Sequence, residues 1–176
     1  MTISNKETAL LGLLSEGAMH AYKIEQEIKN RAMRDWTEIS MSSVYKLLRK
    51  LEKEKLIKSE MKVSQKNISQ KVYSLTSDGK KKLKEKIKIL ISEPEKTLSR
   101  IDLATSHLDQ LTKKEAIECL KKYEKRLNEM LACYKELEKY LQGCSSQKHV
   151  RALARRPQYL IIGELNWIKE YQKDLK

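Results

Sequence analysis

The chain has 176 residues, with 37 Lys and Arg against 24 Asp and Glu, and a formal net charge of +13. A hydrophobic fraction of 40% is too high for a disordered tail, while the longest apolar stretches, such as Leu160-Ile161-Ile162, fall far short of the ~20 residues of a membrane span. Five Gly, two Pro and no Phe give too little turn punctuation for a long α/β barrel or a β-sandwich, so the expectation is one domain or two small ones, mostly α.

In chain order, Ser4 and Glu7 have the spacing of a capping box and predict a first helix with Leu10, Leu11, Leu13 and Leu14 on its apolar face and Gly17 at its end. Ala21, Ile24 and Ile28 predict a second helix from about residue 21 to residue 31. Ser40 or Ser42 is placed to cap a third, running to about residue 55. Its Val44, Leu47, Leu48 and Leu51 form one stripe to be buried, and Ser42, Lys46, Arg49 and Lys53 lie opposite, with Lys50 beside them.

After Leu56-Ile57 the period changes to two. The segments 58–63 and 71–75 read as a β-hairpin with a polar loop, Ser64-Gln65-Lys66-Asn67, at its tip. Thr76 or Ser77 then caps a helix running toward Ser92, with Leu83, Ile87, Leu90 and Ile91 as its apolar face. Glu93-Pro94 breaks the pattern, which divides the chain into residues 1–92 and 93–176.

The second part differs in kind. Ala116, Leu120, Tyr123, Leu127, Met130, Tyr134, Leu137 and Leu141 recur at alternating steps of four and three, a heptad seam. Thr112 with Glu115 makes a second capping box, Gly143 is the expected stop, and a last helix is expected from near Pro157 with Leu160, Ile161, Leu165, Trp167, Ile168 and Tyr171. The seam must bury against this last helix or against a second copy of the chain.

Charge is uneven. Residues 1–91 carry 20 basic and 11 acidic side chains, and residues 46–88 alone carry 15 and 5. A field of that sign attracts polyanions, with a solvated Lys-rich surface as the plain alternative. Two helices, a cation-faced helix and a β-hairpin, in that order, are the parts of a winged helix-turn-helix. A helix about 10–12 Å across fits the DNA major groove, and a neighbouring hairpin can lie along phosphates.

The same residues resemble PadR-like transcriptional regulators over the first ~90 positions. The matching segments are Leu10-Leu11-Gly12-Leu13-Leu14, His20-Ala21-Tyr22, Ser42-Ser43-Val44-Tyr45, Leu48 to Leu51 with Leu56-Ile57, and Tyr73-Ser74-Leu75-Thr76-Ser77-Asp78-Gly79. The C-terminal part is similar to the longer helical dimerisation domain of one PadR subgroup, with Glu164-Leu165-Asn166-Trp167-Ile168 near its end. Three positions depart from the family pattern: Ala21 and Lys55 stand where glycine is usual, and Lys46 where proline commonly follows the tyrosine.

The resemblance implies a homodimeric, cytoplasmic winged-helix regulator of double-stranded promoter DNA, more often a repressor, in some members controlled by a small aromatic effector. A winged-helix adaptor that binds protein instead of DNA is the alternative. On the DNA reading, Ser42, Ser43 and Lys46 open the recognition helix and meet base edges or adjacent phosphates, or else the serines merely cap it. Arg49 and Lys50 are expected on phosphates, and Tyr45 donates its hydroxyl to one or simply packs. Tyr22 and Lys23 begin the helix that crosses the backbone, and Lys62, Gln65, Lys66 and Lys71 are the wing contacts, or else lysines guarding a strand edge. Tyr123, Leu127, Met130, Tyr134, Leu137, Trp167 and Tyr171 are the expected dimer interface. Trp167, Tyr171 and Tyr123 either line an aromatic effector pocket or pack in that interface.

Other chemistry has no positive support. Cys119, Cys133 and Cys144 form no CxxC pair, so free thiols are expected, and Cys144 with His149 lacks further ligands for a metal. No hydrolase, zincin, Walker or dinucleotide-binding pattern occurs, and no enzyme, cofactor or membrane role is expected. The N-terminal residues lack the basic and apolar regions of a signal peptide, which points to the cytoplasm.

Overall fold

A computed structural model describes residues 2–40, 43–63, 69–94 and 99–175. The chain divides into two compact units, Met1–Lys96 and Thr97–Lys176.

In the first unit, Ser4 Oγ accepts from the Glu7 amide at 3.3 Å while Glu7 Oε2 accepts from the Ser4 amide at 2.7 Å, and this reciprocal cap starts α1 (Asn5–Glu16). Gly17 closes it. His20 caps α2 (Ala21–Asn30): its Nδ1 accepts from the Lys23 amide at 3.0 Å. Just before α2 lies β1 (Met19–His20), a two-residue strand too short for periodicity to reveal. A 3₁₀ turn over Met33–Asp35 leads toward α3 (Ser43–Lys53). The hairpin is β2 (Ile57–Val63) and β3 (Ser69–Leu75), followed by α4 (Ser77–Ser92), which Thr76 caps through its hydroxyl.

The sheet is antiparallel in the order β1-β3-β2, with Met19 opposite Tyr73, and Ile57 opposite Leu75 through to Val63 opposite Ser69. Its core gathers Leu10, Leu11, Leu13 and Leu14 of α1, Ile24 and Ile28 of α2, and Val44, Leu48 and Leu51 of α3. Ile57, Tyr73 and Leu83 complete it from the hairpin and α4. Burying each such side chain stabilises by about 1.5–3 kcal/mol, so α3 alone is held from behind by several kcal/mol.

α3 ends in a left-handed residue. Lys55 has φ 59°, the Leu56 amide donates to the Leu51 carbonyl at 2.9 Å, and the Lys55 amide donates to the Glu52 carbonyl at 3.0 Å. That is a Schellman closure with lysine where glycine would fit without strain. Gly79, in the first turn of α4, is required for a different reason. A Cβ there would lie 2.0 Å from the Leu56 carbonyl oxygen and 2.7 Å from Leu75 Cδ1.

The second unit opens with α5 (Arg100–Thr105) and a 3₁₀ turn over Leu108–Gln110, neither legible in the sequence. α6 (Lys113–Gly143) starts in the Thr112–Glu115 capping box as expected. Gly143 is only the last helical residue; the left-handed closure falls at Ser145, φ 54°, with the Ser146 amide donating to the Leu141 carbonyl at 3.1 Å.

α7 (Lys148–Asp174) corrects the expected start near Pro157, which lies inside the helix. Proline there removes one amide donor from the Leu153 carbonyl, and Leu153 is on the exposed side, where water can replace that donor.

α6 and α7 pack on each other through Leu120, Leu127, Leu131, Ile161, Leu165 and Ile168, flanked by Tyr123, Tyr134, Trp167 and Tyr171. The buried positions Ala116, Leu120, Leu127 and Leu131, with half-buried Tyr123 and Tyr134, repeat at eleven residues rather than seven. Eleven residues over three turns is about 3.67 per turn, close to the natural helix, whereas a heptad drifts about 20° per repeat. By residue 130 the heptad has therefore left the seam. Met130 and Leu137 are exposed, and Leu131 is buried in their place. Among the described residues no helix is long and apolar enough to cross a membrane.

Candidate nucleic-acid interface

α3 separates its two faces by angle. At 100° per residue, Lys46, Arg49 and Lys53 lie about 140–200° round from Val44. Val44, Leu48 and Leu51 are buried without remainder, and Lys46 and Arg49 are exposed. Neither Lys46 nor Arg49 makes an ion pair among the described residues, so both present a full charge outward. Tyr45 stands between the faces, 56% exposed.

Lys50 is different. Its Nζ sits 2.5 Å from Oε1 of Glu7, which is 2% exposed, and 3.8 Å from Glu54. Burial pushes the Glu7 carboxyl up, but Lys50 and the Ser4 cap outweigh it, and the group is held below the ordinary 4.5. Glu7 in turn raises Lys50. The expected phosphate ligand Lys50 is thus a strut between α1 and α3, its charge largely cancelled.

The wing shows the same division. Lys71 Nζ donates to Glu52 Oε2 at 2.8 Å and lies 5.3 Å from the centre of the Tyr73 ring. Ser59 Oγ donates to the other Glu52 oxygen. Both donors, Lys71 first, hold the Glu52 carboxyl below its ordinary range. Among the described residues Lys62 pairs only with Glu60, at a loose 3.9 Å, and stays exposed.

On α2, Tyr22 is exposed and stacks on His20 with ring centres 6.3 Å apart, and Lys23 beside it is exposed. Ser43 is half-buried and folded onto the preceding turn, its Oγ donating to the Ser40 carbonyl at 2.7 Å. Ser42, Gln65 and Lys66 lie outside the described residues. The structure therefore brings Lys46 and Arg49 together on one open face of α3 with Tyr45 at its edge, sets Lys62 on the neighbouring hairpin, and ties Lys50 and Lys71 to carboxylates. Glu7 and Glu52 were missed as site residues. Lys71 is 19 positions from Glu52, and no local spacing rule could pair them.

In the second unit, Tyr123, Leu127, Tyr134, Trp167 and Tyr171 belong to the cluster between α6 and α7 of one chain. Trp167 stacks on Tyr171 with centres 5.3 Å apart, and the Tyr123 hydroxyl donates to Glu164 Oε1 at 3.3 Å. Burial first, then the Glu164 charge, raises the Tyr123 hydroxyl. Outside this cluster α6 carries a second stripe, Met130, Cys133, Leu137 and Tyr140, continued by its C-cap Cys144, all exposed and at alternating steps of three and four.

A core-anchored helix with bare cations outward, preceded by a capped helix and followed by a two-stranded wing, defines the winged helix-turn-helix class of DNA-binding proteins. Residues 10–85, most of the first unit, match the transcriptional regulator PadR-like family.

Solved structures of the same fold extend over both units. Bacillus subtilis PadR in complex with operator DNA is 22% identical, covers 97% of this chain and 98% of its own, and superposes with a TM-score of 0.76. Bacillus subtilis PadR in complex with p-coumaric acid gives 20%, 98%, 99% and 0.77. The Vibrio cholerae virulence activator AphA gives 19%, 96%, 96% and 0.68. Comparison with curated protein sequences yields no match.

Proposed function

We propose that this protein binds promoter DNA as a homodimer and represses transcription by occupying it. The observation that carries the reading is the pair Lys46 and Arg49. They are exposed and, among the described residues, without carboxylate partners, on a helix whose opposite face buries Val44, Leu48 and Leu51. In this reading the first turns of α3 enter the major groove with Ser42, Ser43 and Lys46 at base edges or neighbouring phosphates. Arg49 and Tyr45 hold phosphates, Tyr22 and Lys23 meet the backbone from α2, and Lys62, Gln65 and Lys66 follow it from the wing. Lys50 and Lys71 act from behind, as struts.

Dimerisation is supported by the apolar side chains that α6 and α7 leave outside their own seam: Met130, Leu137, Tyr140, Leu153, Tyr159 and Leu160. A symmetric pair places two recognition helices on half-sites about one helical turn apart. The p-coumaric acid complex of the Bacillus protein supports a small aromatic effector. Such a ligand would act by favouring a dimer whose heads no longer match the half-sites. The likeness to AphA, an activator, makes activation the competing sign.

The test begins with selection of duplexes from a random pool by the whole protein in the cytoplasm-like buffer where it is folded. Two chains per selected duplex and a two-fold symmetric site are expected. A reporter carrying that site across a promoter should fall when the protein is expressed, and a rise would mean activation. Failure to enrich any duplex would refute the reading, and capture of a protein partner insensitive to Lys46→Ala and Arg49→Ala would favour an adaptor.

A further inference from the structure

Glu52 has the wrong charge for its place. It sits in the last turn of the recognition helix, on a molecule of net charge +13 built to approach a polyanion. Its two oxygens are nevertheless both engaged. Ser59 of β2 donates to one and Lys71 of β3 to the other. One side chain of α3 is thus tied to both strands of the wing.

On β2 the tie falls at Ser59, where the hairpin leaves the body of the unit, and on β3 it falls two residues further out, at Lys71 opposite Met61. Ile57 and Tyr73 are buried at the base of the hairpin, and Ser59, opposite Tyr73, is half-buried. Beyond it, Glu60, Met61, Lys62 and Val63 are all exposed. The strand rises about 3.4 Å per residue, so Val63 stands roughly 14 Å past Ser59. A tilt of about 10° at the base would move it about 2.4 Å, which is more than a hydrogen bond tolerates.

We infer that Glu52 is a positioning residue for DNA recognition, fixing the angle between the wing and the recognition helix so that both reach one duplex together. The inference rests on the DNA-binding reading and adds a role that charge alone contradicts. If Glu52 acted only through its charge, removing it would tighten binding, since a negative group would vanish and Lys71 would be released toward phosphate. If it braces the wing, removing it weakens binding to a cognate site despite the gain in positive charge.

The experiment compares the full-length wild type with Glu52→Gln and Glu52→Ala on two probes, a duplex enriched by the wild type and a shuffled duplex of the same composition. Glu52 is partly exposed, and both variants should keep a cooperative thermal transition. Glu52→Gln, which still accepts from Ser59, guards against loss of fold in the alanine variant. Expected is a tenfold or greater loss on the enriched duplex, with binding to the shuffled one unchanged or tighter.

A second readout is the cycle with Lys62→Ala, three residues or about 10 Å beyond Ser59 on β2, where independent effects would simply add. With the brace gone, Lys62→Ala should cost clearly less than it does in the wild type. Equal or tighter binding of Glu52→Gln to the enriched duplex overturns the inference. So does full additivity with Lys62→Ala, or a Lys62→Ala variant that binds like the wild type, because a wing that touches nothing needs no brace. A wild type that enriches no duplex fails before any variant is made, and overturns the DNA reading itself.

Discussion

The cations of α3 divide into bare and neutralised ones, and this predicts different behaviour for side chains only a few residues apart. Each Lys or Arg that neutralises a phosphate adds about 0.9 to the slope of log K against log salt. At 0.1 M salt one such contact is therefore worth about 0.9 of a decade in affinity, or about 1.2 kcal/mol. A dimer bound as proposed carries two copies, so Lys46→Ala should weaken binding about 60-fold at 0.1 M and flatten the slope by about 1.8. Arg49→Ala should do the same.

Lys50→Ala should leave the slope nearly unchanged, because Glu7 already holds that charge at 2.5 Å. It should instead strand a carboxylate that is 2% exposed and destabilise the fold by about 1–3 kcal/mol. Any duplex serves for the slope, since this part of binding ignores sequence. Fluorescence anisotropy from 50 to 300 mM salt, beside thermal melts of the same samples, measures both effects. A Lys50→Ala slope loss as large as that of Lys46→Ala would refute the partition, as would a Lys46→Ala variant with wild-type slope.

Four other outcomes are expected. Gly79→Ala, which would set a Cβ 2.0 Å from the Leu56 carbonyl oxygen, should cost about 1–3 kcal/mol in denaturant melts. Lys55→Gly should raise stability by about 1 kcal/mol, or about 4–8 °C in the first unit's melting temperature, because φ 59° no longer strains a side chain. Met130→Glu with Leu137→Glu should shift sedimentation toward the monomer while the helical signal stays, whereas Leu127→Glu, aimed into the α6–α7 cluster, should lose helix as well. Glu7 has a folded-state pKa below 4.5, so its stabilisation is complete above that pH and is lost as pH falls through the lower value. Melts between pH 6 and 3 should show a steeper acid loss for the wild type than for Glu7→Gln.

Local signals were legible where one residue's chemistry decides the structure. Ser4 with Glu7, Thr112 with Glu115, and Thr76 each cap the helix expected of them. Three of the four residues of the α3 stripe, Val44, Leu48 and Leu51, are buried as period dictates, with Leu47 half-buried at its edge, and the hairpin also follows from period. What escaped was set by long-range partners or by small differences in pitch. β1 is two residues long and exists because Tyr73 and Val72 offer it an edge. α7 runs through Pro157, since a proline that leaves its unpaired carbonyl acceptor facing water costs less than one in a buried turn. Four-three steps look the same at residues 116 to 127 whether the repeat is seven or eleven, and only past Leu127 do the two diverge. At the interface, Lys46 and Arg49 were legible as outward cations. The capture of Lys50 and Lys71 was not, because Glu7 and Glu52 reach them through folding and not through adjacency.

α6 is apolar on two sides, and the two sides do different work. The inner one is satisfied by the chain's own α7, so a subunit completes this hairpin without meeting its twin. If the proposed pairing uses the outer stripe, separation of the twins leaves intact halves in place of unfolded chains. The occupied fraction of an operator then rises with the square of protein level when the pool is dilute. A gene under such control answers to modest changes in how much regulator the cell makes.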